Sequence, residues 1–363
     1  MMNLEVNGTR YEGFKTSSAT KSMEAAAGVF NFMAATEDST KFPIKKGAAC
    51  RVLVNGAPVI TGFIEKVGGE YSAESDTLEV CGRDRTADFI DSGYDGNFEF
   101  SGTIHPKTII ERVLKTAGLT TIKVIDSVGD IKVFKNELLS GAIGEKCFEF
   151  CEKYCRKRQV LLTCDGNGNL VLTRASKKLI KTVLLHKLNG TNNNVKSARY
   201  TDDDTERFAK VIIKSQYNPS ITDEAPQMDL EGKATDTLIR PTRKLLVVSE
   251  SSSDIFTSAQ RAAWEVNIRR ARGLTYDCVV YGHSAEADGR IWEPNMLVQV
   301  YDERAAINAQ MLIKSVTYNQ SNEGGSTTAL CCVVPDAFTL AAVMAANTAA
   351  ANEVMTDFEE GAE

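Results

Sequence analysis

Three cysteines spaced four residues apart are the most suggestive metal-binding side chains in the sequence. On a helix, Cys147, Cys151 and Cys155 would stack on one face, about 6 Å from one to the next. A tetrahedral metal could use two of them, but the third would lie a further turn away, and a distant ligand would be needed. Since cysteine also packs as a small hydrophobic residue, the pattern favours a core stripe over a metal site.

A second set has the spacing that opens a calcium-binding loop: Asp165, Asn167 and Asn169. Such a loop needs glycine at its sixth position and glutamate at its twelfth, where this chain has Leu170 and Ser176. The segment also separates two matched strand patterns, where Asp, Asn and Gly make an ordinary turn. We therefore predict a hairpin turn.

The histidines and the acidic run carry no catalytic signature. His105, His186 and His283 are far apart in sequence, and none lies in a recognisable metal or triad motif. His105 is explained as a helix-start residue. The acidic run at residues 202–204 precedes a strand pattern, where a solvated turn is the usual structure. The sequence contains no glycine-rich phosphate loop and no Gly-x-Ser-x-Gly elbow.

The cysteines lie in a segment whose pattern changes from strand to helix near Gly102. Pro106 suits the first position of a helix, and Gly118 supplies its stop. A second helix is predicted from about residue 141 to 158, with Ser140 as its N-cap. A hairpin around the Asp-Gly-Asn-Gly-Asn turn follows. Residues 99–176 are therefore predicted to form an inserted α+β domain.

The β-rich blocks on either side of this insertion, residues 50–84 and 290–336, resemble each other. Each has strand patterns in the same order and a Gly-Gly turn before its last strand. Each also follows a helix-like run that ends on a glycine, Gly28 or Gly273. The aligned stretches are Phe63–Val67 with Leu312–Val316, and Leu78–Cys81 with Leu330–Val333. The similarity points to an internal duplication.

We therefore predict a β-rich α+β fold with two similar β-barrel domains of the tube type, the inserted domain and short peripheral helices. The predicted boundaries are 1–98 for the first β-barrel domain, 99–176 for the insertion, 177–217 for a connecting segment with strands completing a barrel, 218–340 for the second β-barrel domain with a helix at 257–272, and 341–363 for an alanine-rich, then acidic, tail. Residues 179–199 fit either barrel, and residues 218–236 are predicted to form a polar surface excursion.

Composition describes a soluble globular protein of two to four domains: 363 residues, 43% hydrophobic and 25% charged. No apolar run reaches the roughly 20 residues of a membrane helix, and the start lacks the pattern of a secretion signal. Nine cysteines without an export signal predict reduced thiols in a cytoplasmic product. A net charge of -6 excludes a basic footprint for tight nucleic-acid binding.

Five segments together resemble the baseplate central hub, or tail protein P, of Mu-like contractile-tailed phages and prophages. They are SMEAAAGVFNF, VITGFIEKV, CGRDRTADFID, DTERFAKVIIKSQY and IWEPNMLVQVYDE. Matching segments run in the same order from about residue 4 to residue 338. The two most specific pieces are Gly82–Asp88 and Trp292–Asn295, and both are typical of turns and packing positions rather than of catalysis.

The resemblance implies a homotrimeric ring whose six similar barrels join a hexameric tail tube to a trimeric spike, with the spike as a separate protein. It further implies contacts with tube or other baseplate proteins, and a channel through which DNA passes during genome ejection. The expected location is the tail baseplate of the virion, assembled in the bacterial cytoplasm, with no membrane contact. It implies no catalytic residue, no cofactor and no metal.

Two alternatives stay open at this point. The first is a tail-associated peptidoglycan hydrolase, which would place paired carboxylates in a cleft of the inserted domain. Its candidates are Glu145, Glu149 and Glu152, on the polar side of the second predicted helix, where solvated charge is the ordinary explanation. The second alternative is a β-domain adaptor outside any phage.

Overall fold

A computed structural model describes residues 1–35, 44–72, 76–93, 99–135, 138–142, 144–158, 160–215, 231–249 and 258–338. Strand makes up 48% and helix 16% of the structure, which confirms the predicted β-rich class. The chain divides into two compact units, residues 1–200 with 276–332, and residues 201–275 with the chain from residue 333 onward. Among the described helices, none is long and apolar enough to cross a membrane.

The described residues contain 21 strands and four α-helices. The strands are β1 (Met2–Val6), β2 (Thr9–Tyr11), β3 (Thr16–Ser22), β4 (Val29–Ala35), β5 (Ala49–Val54), β6 (Ala57–Tyr71), β7 (Asp76–Asp84), β8 (Glu99–Phe100), β9 (Val124–Asp126), β10 (Leu139–Ser140), β11 (Leu161–Cys164), β12 (Leu170–Thr173), β13 (Leu179–His186), β14 (Val195–Asp202), β15 (Lys210–Ser215), β16 (Glu231–Thr235), β17 (Lys244–Ser249), β18 (Leu274–Tyr281), β19 (Leu297–Asp302), β20 (Ile307–Ser321) and β21 (Gly325–Val333). The helices are α1 (Ala87–Asp91), α2 (Pro106–Thr116), α3 (Cys147–Lys157) and α4 (Ser258–Gly273), and a 3-10 turn spans Pro335–Phe338.

One sheet of 13 strands contains both of the similar blocks. Its order is β14-β18-β21-β20-β3-β4-β7-β6-β5-β1-β2. Two strands lie off this path: β19, which pairs with β20, and β13, which pairs with β19. Within the described chain the path does not close on itself, since it ends at β2 on one side and at β14 on the other. When β3 and β4 are counted with the first block and β14 and β18 with the second, the two blocks share a sheet and are joined where β3 pairs with β20.

The order of strands in this sheet occurs twice. The order β3-β4-β7-β6-β5 is repeated as β14-β18-β21-β20-β19. The counterparts β5 and β19 have 6 residues each, β6 and β20 have 15 each, and β7 and β21 have 9 each. One difference follows at the next strand, because β1 pairs antiparallel with β5 whereas β13 pairs parallel with β19.

Backbone bonds fix how β6 and β20 correspond. Ile64 N–H donates to the Ala48 carbonyl at 3.0 Å, and Ile313 N–H donates to the Met296 carbonyl at 2.9 Å. The residue before each acceptor, Gly47 or Asn295, has a positive φ, 81° and 69° respectively. Ile64 and Ile313 are thus counterparts, as the sequence alignment predicts.

The inserted segment supplies most of the core that α2, α3 and the sheet β11-β12-β9 enclose, and Ala26 and Phe89 from the preceding part of the chain belong to the same core. The predicted first helix is confirmed from Pro106, and Gly118 follows it with a φ of 74°. The second helix was predicted too long. It begins at Cys147 rather than near residue 141, because Ser140 pairs in β10 with β8 and Gly144 has a φ of 80°, outside the helical region. Ile143, which is four residues before Cys147 and so on the same face of the predicted helix, lies outside the described residues.

In the second unit, α4 packs on the sheet β16-β15-β17, with Val211, Ile213, Ala262 and Val266 at the core of the contact. The predicted helix 257–272 is confirmed within one residue. The spacing of Thr257 and Gln260 also predicts a capping box at its start, but those side chains lie outside the described part.

Three other expectations are corrected. Residues 231–235 form strand β16 rather than loop, and the rest of the predicted excursion, up to residue 230, lies outside the described ranges. The unbroken apolar run at residues 245–248 predicts a buried strand, but in β17 Leu246 and Val248 are more than half exposed. The helix-like run before Gly28 forms turns, so only the second block has a helix there. The tail at 341–363 also lies outside the described residues.

Candidate assembly surface

The Gly82–Asp88 motif joins three strands of the first block. Asp84 is buried, and its carboxylate accepts the N–H of Gly28 at 2.8 Å and the N–H of Thr61 at 2.9 Å. Burial raises the pKa of the Asp84 carboxyl, and those two hydrogen bonds oppose the rise. Gly82 is packed so closely that a Cβ would lie 2.1 Å from the Phe63 carbonyl oxygen. The prediction that this motif serves packing is confirmed.

The segment with the spacing of a calcium loop is a turn that docks on the same motif. Asp165 Oδ1 accepts the N–H groups of Asn167 and Asn169, both at 2.8 Å, so the carboxylate holds the turn itself. Arg85 Nε donates to the Gly168 carbonyl at 3.0 Å, and Thr61 Oγ1 donates to the carbonyl of residue 166 at 2.8 Å. These bonds attach the inserted domain to β6 and confirm the predicted turn.

The Trp292–Asn295 motif fixes the chain where it returns from the insertion. The Asn295 amide accepts the Ser176 N–H at 2.7 Å and donates to the Arg174 carbonyl at 2.9 Å. Trp292 N–H donates to the His283 carbonyl at 3.0 Å, and the Tyr318 hydroxyl donates to the Trp292 carbonyl. The prediction of a turn and packing role is confirmed for this motif as well.

The cysteine stripe is buried in the core of the inserted domain. Cys147, Cys151 and Cys155 are each at most 1% exposed. Burial raises the pKa of the Cys151 and Cys155 thiols, which keeps them protonated at neutral pH. Protonated, enclosed thiols pack as small hydrophobic groups, so the predicted core stripe is confirmed.

The histidines occupy three separate environments, and His283 lies apart from the other two with its Nδ1 3.0 Å from the Thr328 hydroxyl. His105 accepts the Lys107 N–H through Nδ1 at 3.2 Å, as predicted for a helix start. His186 lies 3.3 Å from Asp302, whose other oxygen accepts the Tyr276 hydroxyl at 2.7 Å. Burial alone would raise the pKa of Asp302, but hydrogen bonds from the Ala305 N–H and the Tyr276 hydroxyl lower it. No sequence motif indicates this polar cluster, because its members are up to 116 residues apart.

Asp203, Glu145 and Glu152 are engaged with neighbouring groups. Asp203 accepts the N–H of Thr205 at 2.7 Å, as a turn residue does. Glu145 pairs with Lys153 at 3.0 Å, and Glu152 pairs with Arg156. Across the described ranges, no three His, Cys, Asp or Glu side chains converge closely enough to hold a metal ion. Two concavities of about 360 and 720 Å³ lie elsewhere, and the predicted hydrolase glutamates line neither.

The edges of the large sheet are its open backbone surfaces. One edge of β20 is shared by two strands, because Ile307–Leu312 pairs with β19 and Ser315–Ser321 pairs with β3. On β6, the corresponding edge is half filled, since β5 pairs with it only as far as Phe63. From Lys66 to Tyr71 no described strand pairs with this edge.

Strand β14 ends the sheet at the other side, with β18 as its one described partner. Its residues after Val195 are exposed along the whole strand. The open edge of β6 and that of β14 both carry an exposed tyrosine: Tyr71 on β6 is 86% exposed and Tyr200 on β14 is 52% exposed. Unpaired N–H and C=O groups beside exposed aromatic rings are typical of a strand-pairing site.

Comparison with known proteins identifies relatives along nearly the whole chain. Residues 1–84 match the family described as "Mu phage baseplate assembly protein GpP-like, N-terminal", and residues 255–341 match "Mu phage baseplate assembly protein GpP, fourth domain". The baseplate hub protein gp44 of Escherichia phage Mu is 25% identical over 336 residues, which cover 90% of this chain and 86% of gp44.

Two solved structures share the fold. The 43 kDa tail protein of prophage MuSo2 from Shewanella oneidensis is 30% identical with a TM-score of 0.78, over 93% of this chain and 98% of that one. A tail protein from Neisseria meningitidis MC58 is 19% identical with a TM-score of 0.77 over the same shares, and it supports the fold alone. The chain thus belongs to the baseplate hub family of Mu-like phages and prophages, whose members are components of the phage tail.

Proposed function

We propose that this hub protein is a homotrimeric ring with pseudo-six-fold symmetry, which joins the hexameric tail tube to a trimeric spike and leaves a channel for genome ejection. The observation that carries the proposal is the repeated strand order, since each chain supplies two similar blocks placed side by side in one sheet. Three chains would then present six similar blocks to the six-fold tube. Because the chains are identical, the same ring would also match the three-fold spike.

We further propose that the two blocks arose by duplication and form the ring as tube-type barrels. The proposed boundaries are those predicted from the sequence: 1–98 and 218–340 for the two barrel domains, and 177–217, which carries β14, as the link that completes a barrel. The segment 99–176 would lie outside the ring. Most of its apolar side chains pack on one another, with Ala26 and Phe89 of the first part of the chain added at the edge of that core, which suits a domain that is attached to the ring from outside.

The role we propose is mechanical, and the protein would not be an enzyme. The ring would adapt one symmetry to another, seed the tube, hold the spike, and contact DNA only as it passes through. The proposal is supported by the engagement of the candidate groups in turns, ion pairs and core packing, as described above. Its partners would be further copies of the chain, the spike, and tube or other baseplate proteins.

Light scattering behind a sizing column, over a range of concentrations, tests this proposal. We expect a molar mass near three times 39.6 kDa, and class averages of negatively stained particles should show a ring with six lobes. A monomer at every concentration would contradict a ring that forms by itself. Clearing of purified cell wall by the protein would instead favour a hydrolase.

A further inference from the structure

We propose that strand β14 of one chain pairs antiparallel with the open edge of β6 in the neighbouring chain, along Lys66 to Tyr71. The large sheet would then continue from one chain to the next. This inference rests on the proposed trimer and assigns the surfaces that join it. Both surfaces are on the described chain, and the occupant of each is a second copy of the same protein.

The junction inside one chain is the template. Strand β3 of the first block pairs antiparallel with β20 of the second block, from Ser315 to Ser321. In the repeated strand order, β6 is the counterpart of β20, and β14 is the counterpart of β3. The chain therefore presents the same kind of edge and the same kind of strand once more, and both are open among its described residues.

The register on β6 follows from the counterparts Ile64 and Ile313. Gly69 is the fifth residue after Ile64 on β6, and Tyr318 is the fifth residue after Ile313 on β20, so Gly69 and Tyr318 are counterparts. In the internal junction, Tyr318 lies opposite Ala19 of β3. The residue of β14 that corresponds to Ala19 should therefore lie opposite Gly69.

The register on β14 follows from its neighbour β18. The first buried residues of β4 and β18 are Phe30 and Tyr276, which makes Val29 and Thr275 counterparts. Val29 lies opposite Thr20 of β3. Asp203 N–H donates to the Gly273 carbonyl at 3.0 Å, which places Thr201 opposite Thr275. Thr201 thus corresponds to Thr20, and Tyr200 corresponds to Ala19.

Side-chain sizes are complementary in this register. Inside the chain, the large Tyr318 and the small Ala19 form a buried pair, 0% and 1% exposed. Between chains, the sizes are exchanged, because the exposed Tyr200 lies opposite Gly69. The next pair on the same face sets the exposed Tyr71 against Ala198. Pairing would therefore cover both exposed tyrosines without a steric conflict between two large side chains.

Charges agree with the same register. It places Glu70 of β6 directly opposite Arg199 of β14, on the other face of the sheet. Both side chains are exposed, and neither forms an ion pair with a described residue of its own chain. Opposite charges that face each other across two strands stabilise the pairing.

A disulfide test reads out this contact in the full-length protein. The paired variant Glu70→Cys/Arg199→Cys should form covalent oligomers up to the trimer under mild oxidation, and reductant should reverse them. Each single variant should remain uncrosslinked, which controls for the nine native thiols. Thr9→Cys/Arg199→Cys is the matched control pair, because Thr9 lies on β2, the opposite end of the sheet, and it should also stay uncrosslinked.

Charge exchange provides an independent test without cysteines. Glu70→Arg should weaken association by roughly five-fold at each junction, since it sets two arginines against each other. Arg199→Glu should do the same, and the double exchange should restore association. Circular dichroism confirms that each variant is folded.

The outcomes separate this inference from the proposed function. A trimer by light scattering that neither crosslinks through the Glu70/Arg199 pair nor responds to charge exchange overturns the strand junction and leaves the hub intact. Crosslinking of the Thr9 control pair instead would show that β14 meets β2. A protein that remains monomeric at its highest soluble concentration, with no crosslink, contradicts both proposals.

Discussion

His283 should make the hub sensitive to mild acid. The Thr328 hydroxyl donates to the Gly282 carbonyl at 2.6 Å, so it can only accept from His283 Nδ1, 3.0 Å away. The ring is therefore neutral with its proton on Nδ1, and the buried Nε2 has no hydrogen-bond partner among the described residues. A second proton would place a charge on Nε2 in a site that is 2% exposed.

The size of the effect follows from the shift in the histidine pKa. Burial lowers the pKa of His283 from 6.5 to about 4. As the pH falls, the histidine of the unfolded chain takes up a proton before that of the folded chain does. The contribution of neutral His283 to stability is therefore fully present above pH 6.5 and is lost as the pH falls towards 4. Between pH 7 and pH 4.5, the expected loss from this one group is about 2.5 kcal/mol.

Urea unfolding followed by the fluorescence of Trp292 measures this loss. Trp292 is buried and hydrogen bonded to the His283 backbone, and Trp264→Phe removes the second tryptophan signal. His283→Asn keeps a donor towards Thr328 but cannot be protonated. It should lose about 2.5 kcal/mol less than the parent over the same pH interval. Equal losses in the two proteins would refute the argument for a neutral, unpartnered imidazole.

Three further predictions concern the packing motifs. Gly82→Ala should lower the free energy of unfolding, measured by thermal melts, by about 2–3 kcal/mol, because its Cβ would meet the Phe63 carbonyl. Gly68→Ala is the control and should change it little, since the nearest atom to its Cβ is 3.7 Å away. Asn295→Ala should lower the free energy of unfolding, measured by urea titration, by about 2–4 kcal/mol, because it removes two hydrogen bonds and places alanine at a φ of 69°. Asn295→Gly should lower it less, since glycine accepts that φ. Cys151→Ser should lower the free energy of unfolding by about 1–3 kcal/mol, because it buries a hydroxyl. A chelator should leave the melting temperature of the parent protein unchanged, and a drop on chelation would point to a bound metal.

The local elements of this fold could be predicted from the sequence because their signals are local. Pro106 and Gly118 delimit α2, and the glycine-rich turn between β11 and β12 is set by Asp165. The start of α3 was missed since its decisive feature is the pairing of β10 with β8, a contact between residues about forty positions apart. Hydrophobic periodicity carries no information about such a partner.

The assembly surface could be predicted only in outline. Similarity of the two blocks was visible in the sequence, but the sharing of one β20 edge by β19 and β3 was not. Tyr71 and Tyr200 look like ordinary strand aromatics until the structure leaves them exposed. Their meaning depends on which edge is open, and that is a property of the whole sheet.

The pairing of β3 with β20 also has a consequence for folding. Ser17 contacts Gln320, so a strand made early in synthesis must wait for one made about three hundred residues later. Pairing over such separations is slow, because the chain entropy of a long loop is lost before the contact forms. Until β20 emerges from the ribosome, β3 keeps an unpaired edge that can attract other nascent chains. We therefore expect the yield of soluble hub to depend on translation rate and chaperone supply more than its final stability would suggest.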